Sequence, residues 1–445
     1  MSAARTIETR LPEVLEELSN PRTPAYYDDI LGQVARTRQR PGWTFIERWL
    51  PMTAISEQVA TAPRVPIRLA LALALLLVAL AVSIVLIAGS QRSAVPAPFG
   101  LAGNGLIVFT DSTGAINVGT LADGTSRIIA PGSGHSRPVF SPDGRWLAYL
   151  QNGNGGTDIV VSGPNGEAPR VLSAAVSGSP IGHLGWAPDS KAVIVVLGAD
   201  ILAFDLQGTG SPRTIFQGAD GTRFNSFNDN LTDFFRPPNG DEILFVGNGP
   251  NGTGVYRQTL AGGAPIAVVT DQTMPSVWAS NQSGAQWSPD GKRIAVTIHP
   301  PETPDFGRAY IVNADGTGLR RVGRDDIAPP GSIIDDEHLS WSPDGTRIAF
   351  GRWIMYPDGG VDPRPVTIVD LATNAEREAS NREVNGYHGW SWSPDGSSII
   401  EVPGDGSEDP GIVIVVDAAT GEARKMSGWT SVNGPADWQR TVPGS

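Results

Sequence analysis

Short apolar runs bounded by polar turn residues recur along most of this chain, a pattern typical of β-strands. In one such stretch, Ile294–Ile298 and Ala309–Asn313 are the apolar segments, and the turn residues Pro289-Asp290-Gly291 precede the first of them. Proline presets φ at the first corner of a turn, aspartate hydrogen-bonds the backbone ahead of it, and glycine accepts a positive φ. The pattern therefore predicts short antiparallel strands joined by tight turns.

The turn belongs to a phrase, Trp-Ser-Pro-Asp-Gly, that recurs along the chain in intact or altered form. A repeat with a fixed period of about 50 residues indicates a propeller, a solenoid or an array. We expect each leading aromatic residue to pack between neighbouring sheets. The leading aromatic residues are Phe140, Trp186, Phe235, Trp287, Trp341, Trp392 and Trp438.

The two ends of the repeat region complement each other. Residues 106–130 contain the later strands of a repeat without its first strand, whereas Trp438 begins a first strand with nothing after it. Joining the two ends closes a ring and removes the unpaired sheet edges. The sequence thus predicts an all-β fold, a seven-bladed β-propeller over residues 101–440, followed by a tail at 441–445. An eight-bladed ring would need a hidden copy in the insert at 217–235.

These blades resemble the WD40-like, Pro-Asp-containing (PD40) repeats of the TolB propeller family. The resemblance implies a propeller for residues 101–440. In that family a separate α/β domain precedes the propeller, whereas this chain has a membrane-type segment there, so we do not carry over the family's role in an envelope machine. The chain has no cysteine, no Gly-x-Ser-x-Gly elbow and no phosphate-binding loop, and we predict that it is not an enzyme.

An apolar segment precedes the propeller. Leu69–Ala88 is a run of 20 residues whose only polar member is Ser83, and a helix of that length spans about 30 Å, the thickness of a hydrocarbon core. We predict a single transmembrane helix within 66–89 and a linker at 90–100. Because basic residues cluster before the run, residues 1–65 should be cytoplasmic and the propeller extracytoplasmic, at the cell membrane.

The cytoplasmic arm, 1–65, has helical spacing, and Tyr27, Ile30, Leu31 and Val34 form one apolar face. Residues 24–52 resemble the arms of bacterial membrane proteins associated with sigma factors. That resemblance implies a cytoplasmic protein partner such as a sigma factor. The arm lacks histidine and cysteine, which excludes a zinc-type anti-sigma domain. The alternative is an arm that only anchors the protein.

Charge separates the two parts of the chain. The first 68 residues hold nine Arg and eight Asp or Glu, whereas the remainder holds 24 basic and 38 acidic residues. An acidic propeller is a poor binder of nucleic acid, which requires clustered Lys and Arg. We therefore predict a binding or sensing module for a protein, peptide or glycan outside the cell, signalling through the arm. The alternatives are a structural envelope scaffold and an anchored lyase-like or hydrolase-like enzyme with a histidine-bound divalent metal.

Four of the five histidines precede the leading aromatic residue of a blade by three to five positions, which predicts a cluster at one mouth of the central channel. Imidazoles there would bind a ligand or a metal; the alternative is a structural histidine bonded to a neighbouring turn. These ligand-binding candidates are His135, His183, His338 and His388.

Acidic residues form weaker candidates in a predicted long loop, where carboxylates suit calcium and a solvated loop is the alternative. We predict no cofactor, with a divalent metal such as calcium or manganese as the alternative. The inserts 217–235, 298–308 and 352–364 are expected to be recognition loops. The acidic residues are Asp325 and Asp326, and the metal candidates are Asp335, Asp336, Glu337 and His338.

Overall fold

A computed structural model describes residues 75–76 and 95–443, apart from 123, 154, 177–180, 209–210, 225–230, 275–283, 380–386, 404–410, 427 and 430. The chain divides into two units, 1–92 and 93–445, and the description below concerns the second. The predicted cytoplasmic arm and all but two residues of the predicted transmembrane helix lie outside the described residues. Within the described residues, no helix is long and apolar enough to cross a membrane.

The chain folds as a seven-bladed β-propeller. Each blade is an antiparallel sheet whose first strand is innermost, and the chain passes from one blade to the next around the ring. Blade 1 contains β27 (Asp437–Thr441), β1 (Gly103–Thr110), β2 (Ile116–Gly119) and β3 (Ser126–Ala130). Blade 2 contains β4 (His135–Phe140), β5 (Leu147–Gly153), β6 (Gly156–Ser162) and β7 (Arg170–Val176). Blade 3 contains β8 (Leu184–Trp186), β9 (Ala192–Leu197), β10 (Asp200–Asp205) and β11 (Arg213–Phe216).

The other four blades complete the ring. Blade 4 contains β12 (Glu242–Gly249), β13 (Gly252–Thr259) and β14 (Ile266–Thr270). Blade 5 contains β15 (Ala285–Trp287), β16 (Arg293–Ile298), β17 (Arg308–Asn313) and β18 (Arg320–Arg321). Blade 6 contains β19 (Ile333–Trp341), β20 (Arg347–Met355), β21 (Val361–Asp370) and β22 (Glu376–Glu378). Blade 7 contains β23 (Tyr387–Trp392), β24 (Ser398–Pro403), β25 (Ile414–Asp417) and β26 (Ala423–Lys425).

Blade 1 is built from both ends of the repeat region, as the sequence predicts. Strand β27 pairs antiparallel with β1, with Trp438 opposite Ile107 and Asp437 opposite Val108. The seven-bladed ring and its closure are thereby confirmed. The C-terminal strand supplies the inner edge that β1 would otherwise leave unpaired.

Two features of the blades differ from the prediction. Blade 4 has three strands, and its altered repeat contributes only a single bridge between Phe235 and Ile243. A 3-10 helix, Leu231–Phe234, precedes that bridge, and the described part of the insert adds no further blade. The predicted loop at 352–364 is instead largely the extended hairpin of β20 and β21, because their backbones keep pairing out to Met355 and Val361.

The Ser-Pro-Asp-Gly turn is held by one repeated set of hydrogen bonds. In blade 5, the buried Ser288 hydroxyl donates to Asp290 Oδ1 at 2.6 Å and accepts from the Arg293 N–H at 2.9 Å. The Gly291 N–H donates to the Ser288 carbonyl at 2.8 Å with φ 66°, a left-handed conformation that glycine adopts without a steric penalty. The same bonds recur around Ser342 and Ser393.

The leading tryptophans join neighbouring blades. The Trp341 indole N–H donates to the Gln286 carbonyl of the preceding blade at 3.2 Å, and the Trp392 indole donates to the Ser340 carbonyl at 3.3 Å. Trp186 makes the equivalent bond to Val139 at 3.1 Å. These three rings pack between two sheets with the indole N–H satisfied, which is how a buried tryptophan is best accommodated. The indole N–H groups of Trp287 and Trp438 have no hydrogen-bond partner among the described residues.

Candidate functional site

The first strands of the blades line the central channel and run in one direction, so the channel has two distinct mouths. We call the end where these strands begin the upper mouth, and the end where they reach the Pro-Asp turns the lower mouth. Of the four histidines predicted as ligands, His135 begins β4, His183 precedes β8 and His388 is the second residue of β23, all on the upper side. His338 lies further along β19, three residues before Trp341. The leading aromatic residues lie on the lower side.

A β-bulge recurs at the upper end of the inner strands, three residues before the leading aromatic residue. Arg137 in blade 2 and His338 in blade 6 occupy this position with φ of 54° and 60°, and Gly389 takes it in blade 7. The pairing register shifts across Arg137 and across His338, and in blade 7 it shifts one residue earlier, between Tyr387 and Gly389. A non-glycine residue in the left-handed region is strained, and such strain and bulges cluster where a side chain is re-aimed for function.

The bulge position separates the histidines that the sequence grouped together. His183 and His338 each lie three residues before the leading aromatic residue, whereas His135 and His388 lie five and four residues before theirs. Of these four, His338 has the left-handed φ of the bulge. His388 is within β23, and its side chain lies outside the described part of the chain. Within the described residues, no group of three or more His, Asp or Glu side chains is arranged to hold a metal ion.

His135 makes the contacts of a structural histidine. Its Nδ1 lies 3.0 Å from the Gly114 carbonyl of blade 1, and its ring packs edge-on against Tyr149 at 5.5 Å. It also lines a cleft of about 440 Å³ between blades 1 and 2, together with Arg137 and the 433–435 segment. The hydroxyl of Thr110, a residue that is 6% exposed and lines the same cleft, has no hydrogen-bond partner.

Arg137 is the residue of the upper mouth that sequence reasoning missed. Its guanidinium donates to the Gly182 carbonyl of blade 3 at 2.5 Å, next to His183. A planar guanidinium offers five donors in a fixed fork, which suits carboxylate or carbonyl ligands. Its spacing could have identified it, because Arg137 lies three residues before Phe140, just as His183 and His338 lie three residues before their tryptophans.

The predicted acidic loop is wrong for three of its residues. Asp335, Asp336 and Glu337 lie on strand β19, and Asp336 and Glu337 are 0% and 3% exposed. Asp336 is neutralised by arginine: Arg352 donates to its Oδ1 at 2.6 Å, and two further guanidinium groups lie 3.5 and 3.6 Å from its Oδ2. Burial is tolerated because these cations replace the solvent. The two further arginines are Arg308 and Arg321 of blade 5.

Among the described residues, Glu337 and Asp335 have no arginine partner, in contrast to Asp336. Burial raises the pKa of Glu337 to about 8, and the neighbouring Asp335 adds to the shift. Burial likewise raises the pKa of Asp335 to about 7, against the hydrogen bond from the Gly307 N–H. His338 lies 3.7 Å from Glu337 and packs between Trp353 and Trp390, and this burial lowers its pKa to about 4. The upper mouth therefore carries a neutral imidazole and protonatable carboxyls on blade 6.

The lower mouth is crossed by the segment that leads into the propeller, residues 95–102, which we call the strap. Phe99 packs against the apolar cluster of blades 3 and 4, while the Ala102 N–H donates to the Pro394 carbonyl of blade 7 at 2.9 Å. Arg440 of blade 1 donates to the carbonyls of Ala97 at 3.0 Å and Gly100 at 2.6 Å. The strap is thus attached on opposite sides of the ring.

Beneath the strap lies a cavity of about 150 Å³ with a polar lining. Two carboxyl groups face it: Asp233, on the 3-10 helix, and Asp437, which accepts from the Phe140 N–H at 2.7 Å. Burial raises the pKa of Asp437 to about 7 and that of Asp233 to about 6. The other polar side chains of the lining are Thr232, Gln286, Ser340, Ser391 and Arg440.

Comparison with known proteins places this chain by its fold. No family model and no curated protein matches it. Among solved structures, an oligogalacturonate lyase in complex with manganese is 16% identical, with a TM-score of 0.51 over 74% of this chain and 85% of the lyase. The similarity is one of fold alone.

Two further propellers are similar at lower scores. TolB from Acinetobacter baumannii is 16% identical, with a TM-score of 0.43 over 75% of this chain and 81% of TolB. The periplasmic gluconolactonase PpgL of Pseudomonas aeruginosa is 16% identical, with a TM-score of 0.48 over 76% and 99% of the two chains. TolB propellers are thus among the similar structures, and none of these likenesses transfers an activity.

Proposed function

We propose that this protein is a binding or sensing module that takes a protein, peptide or glycan ligand at the upper mouth of the propeller. The observation that carries the proposal is the recurring bulge, which holds Arg137 and His338 in left-handed backbone at that mouth. The strap supports the same choice, because it crosses the lower mouth.

The chemistry of the upper mouth favours a polar ligand. Arg137 presents hydrogen-bond donors on blade 2, and His183 lies beside the carbonyl that it contacts. Asp335, which is partly exposed, lies on blade 6, almost opposite in the ring, and the buried Glu337 lies two residues further along the same strand. A ligand that offers acceptors on one side and donors on the other, as peptides and glycans do, would satisfy both sets of groups.

The sequence extends this proposal to the membrane. The apolar run Leu69–Ala88 would anchor the protein with its arm in the cytoplasm, and ligand binding outside would be reported through that arm to a partner such as a sigma factor. The anchored enzyme is the rival hypothesis. Metal analysis of the purified full-length protein decides between them: stoichiometric divalent metal that is lost in a His338→Ala variant would favour the enzyme.

Capture of ligand by the full-length protein tests the proposed function. Native membranes would be crosslinked and the bound partners identified by mass spectrometry, for the unaltered chain and for Arg137→Ala. We expect an extracytoplasmic partner whose capture falls at least about tenfold in the variant, the loss expected for a charge-assisted hydrogen bond. The control is Arg145→Ala, an exposed arginine of the same blade near the lower mouth. Equal loss in both variants, with equal melting temperatures, would contradict the proposal.

A further inference from the structure

The lower mouth holds three ionisable groups in a confined space. Asp233, Asp437 and Arg440 line the cavity, and its other lining residues are uncharged. Arg440 binds the strap through two carbonyls, so the same guanidinium contacts the strap and lies within the electrostatic reach of both carboxyl groups. The strap itself, residues 95–102, contains no charged residue.

The charges of these three groups balance only when one proton is present. With both carboxyl groups ionised, two negative charges face a single guanidinium, and one carboxylate has no counter-charge. Asp233, Asp437 and Arg440 are each partly exposed, and an uncompensated carboxylate is costly where the strap restricts its contact with water. Pro98 and Phe99 close the cavity on the strap side. The docked strap therefore contributes to the free-energy cost of ionising both carboxyl groups. Opening the strap would let water reach the ionised pair.

We propose that the strap is a pH-dependent plug of the lower mouth, which stays docked while at least one of Asp233 and Asp437 is protonated and opens when both are ionised. This device is independent of any ligand at the upper mouth. It would control whether the channel is open at one end or at both.

The direction of the pH dependence follows from proton linkage. Burial raises the pKa values of Asp437 and Asp233 to about 7 and about 6 in the docked state, whereas a carboxyl group in water has a pKa of about 4. The docked state therefore binds protons more tightly than the open state. Docking is strongest below about pH 4 and weakens as the pH rises through about 7. Burial lowers the pKa of Arg440 to about 10, so its charge persists throughout.

Two aspartates of the rim do not titrate in this window. The Pro-Asp turns at the lower mouth carry Asp344 and Asp395, besides Asp143 of blade 2. Burial acts to raise the pKa values of Asp344 and Asp395, but hydrogen bonds from the turn outweigh it and hold both below the ordinary value. These two stay ionised between pH 5 and pH 8, so the change is assigned to the pair inside the cavity.

A cysteine reporter tests the plug, because the full chain contains no cysteine of its own. Pro98→Cys would place a thiol on the cavity side of the strap, and Ala97→Cys would place one on its exposed side. The modification rate of the thiol at position 98, divided by that of the thiol at position 97, is measured in the full-length protein. This ratio cancels the pH dependence of the thiol chemistry itself. We expect this ratio to rise at least about fivefold from pH 5 to pH 8, since one coupled proton allows up to about tenfold per pH unit.

Asp233→Asn is the decisive variant. It leaves one carboxylate facing one guanidinium and removes the like charge that adds to the raised pKa of Asp437, so the rise of the ratio from pH 5 to pH 8 should be clearly smaller. The matched control is Asp189→Asn, an exposed turn residue of blade 3, which should keep the rise. A flat ratio in the Asp233-containing protein, or an undiminished rise in Asp233→Asn, would overturn the proposal.

A second readout covers the case in which the reporter itself loosens the strap. The Ala102 N–H donates to the Pro394 carbonyl only while the strap is docked. In the chain without reporters, its hydrogen exchange, corrected for the intrinsic rate, should accelerate over the same pH range and should accelerate less in Asp233→Asn. Protection that is equal at pH 5 and pH 8 would contradict the plug independently of any cysteine.

Discussion

The guanidinium of Arg293 in blade 5 lies 5.0 Å above the ring of Trp341 in blade 6 and donates to the Gly345 carbonyl in the same blade at 2.8 Å. The next pair, Arg347 over Trp392, has the same distance and the same bond, to Gly396. One arginine therefore stacks on the tryptophan of the next blade and binds its Pro-Asp-Gly turn. This contact connects the repeated phrase to the cohesion of the ring.

Replacing Arg293 should loosen the contact between blades 5 and 6. Arg293→Ala removes a cation–π contact and a charge-assisted hydrogen bond, and we expect the free energy of unfolding to fall by about 1–3 kcal/mol. Chemical denaturation of the full-length protein measures this. Lys292→Ala, at the exposed neighbouring position, should change little, and equal effects of the two substitutions would argue against the stacking.

The turn serine should matter as much as the aromatic residue before it. Ser288→Ala removes a buried hydroxyl that donates to Asp290 and accepts from Arg293. The expected loss is about 1–2 kcal/mol of unfolding free energy, because the backbone N–H loses its acceptor in a dry site. Ser397→Ala removes an exposed hydroxyl that also bonds a turn aspartate, and it should cost clearly less. A smaller effect at Ser288 would show that the turn does not need this bond.

The buried ion network of blade 6 should be sensitive to the loss of one partner. Arg352→Met leaves Asp336 fully buried without its closest cation, and we expect a loss of about 3–5 kcal/mol. Arg324→Met breaks the pair between two exposed side chains, Arg324 and Asp326, and should change stability little. Thermal unfolding of both variants makes the comparison, and similar melting temperatures would contradict the network.

Glu337 should make the fold less stable as the pH rises. Its pKa, like that of Asp335, is raised by burial, so the folded state holds protons that the unfolded state has released. The stabilising contribution is complete below about pH 4 and is lost as the pH passes through about 7 to 8. Glu337→Gln should therefore flatten the fall in unfolding free energy between pH 5 and pH 8. Glu422→Gln, at an exposed position, should leave the slope unchanged; a slope that Glu337→Gln also leaves unchanged would refute this assignment.

The fold could be predicted from the sequence because the repeats are regularly spaced and the Pro-Asp-Gly residues favour a tight turn. The orphan strand at Trp438 even predicts how the ring closes. Blade 4 differs because Phe235 is followed by two prolines and no Ser-Pro-Asp-Gly turn, so its first strand shrinks to a single bridge. That loss is visible in the sequence, but its extent depends on the neighbouring sheets.

The residues of the candidate site were harder to predict from the sequence, for physical reasons. The spacing of the histidines predicts four of them at one mouth. A shift of one position along a strand, however, turns a side chain to the other face of the sheet. In blade 2, Arg137 and not His135 therefore occupies the bulge. The burial of Asp336 depends on two arginines of blade 5, and the strap depends on Arg440, more than 300 residues away in sequence. Such long-range partners leave no local pattern.

Site-specific photocrosslinking in the native membrane tests ligand binding at the upper mouth most directly. A photoreactive residue would replace Ser136, which lines the upper cleft beside Arg137, and, in a second protein, Thr346, at a Pro-Asp turn of the lower side. We predict an extracytoplasmic adduct from position 136 that disappears in Arg137→Ala, with none from position 346. Adducts from position 346 alone, or an adduct at 136 that Arg137→Ala leaves unchanged, would contradict the account.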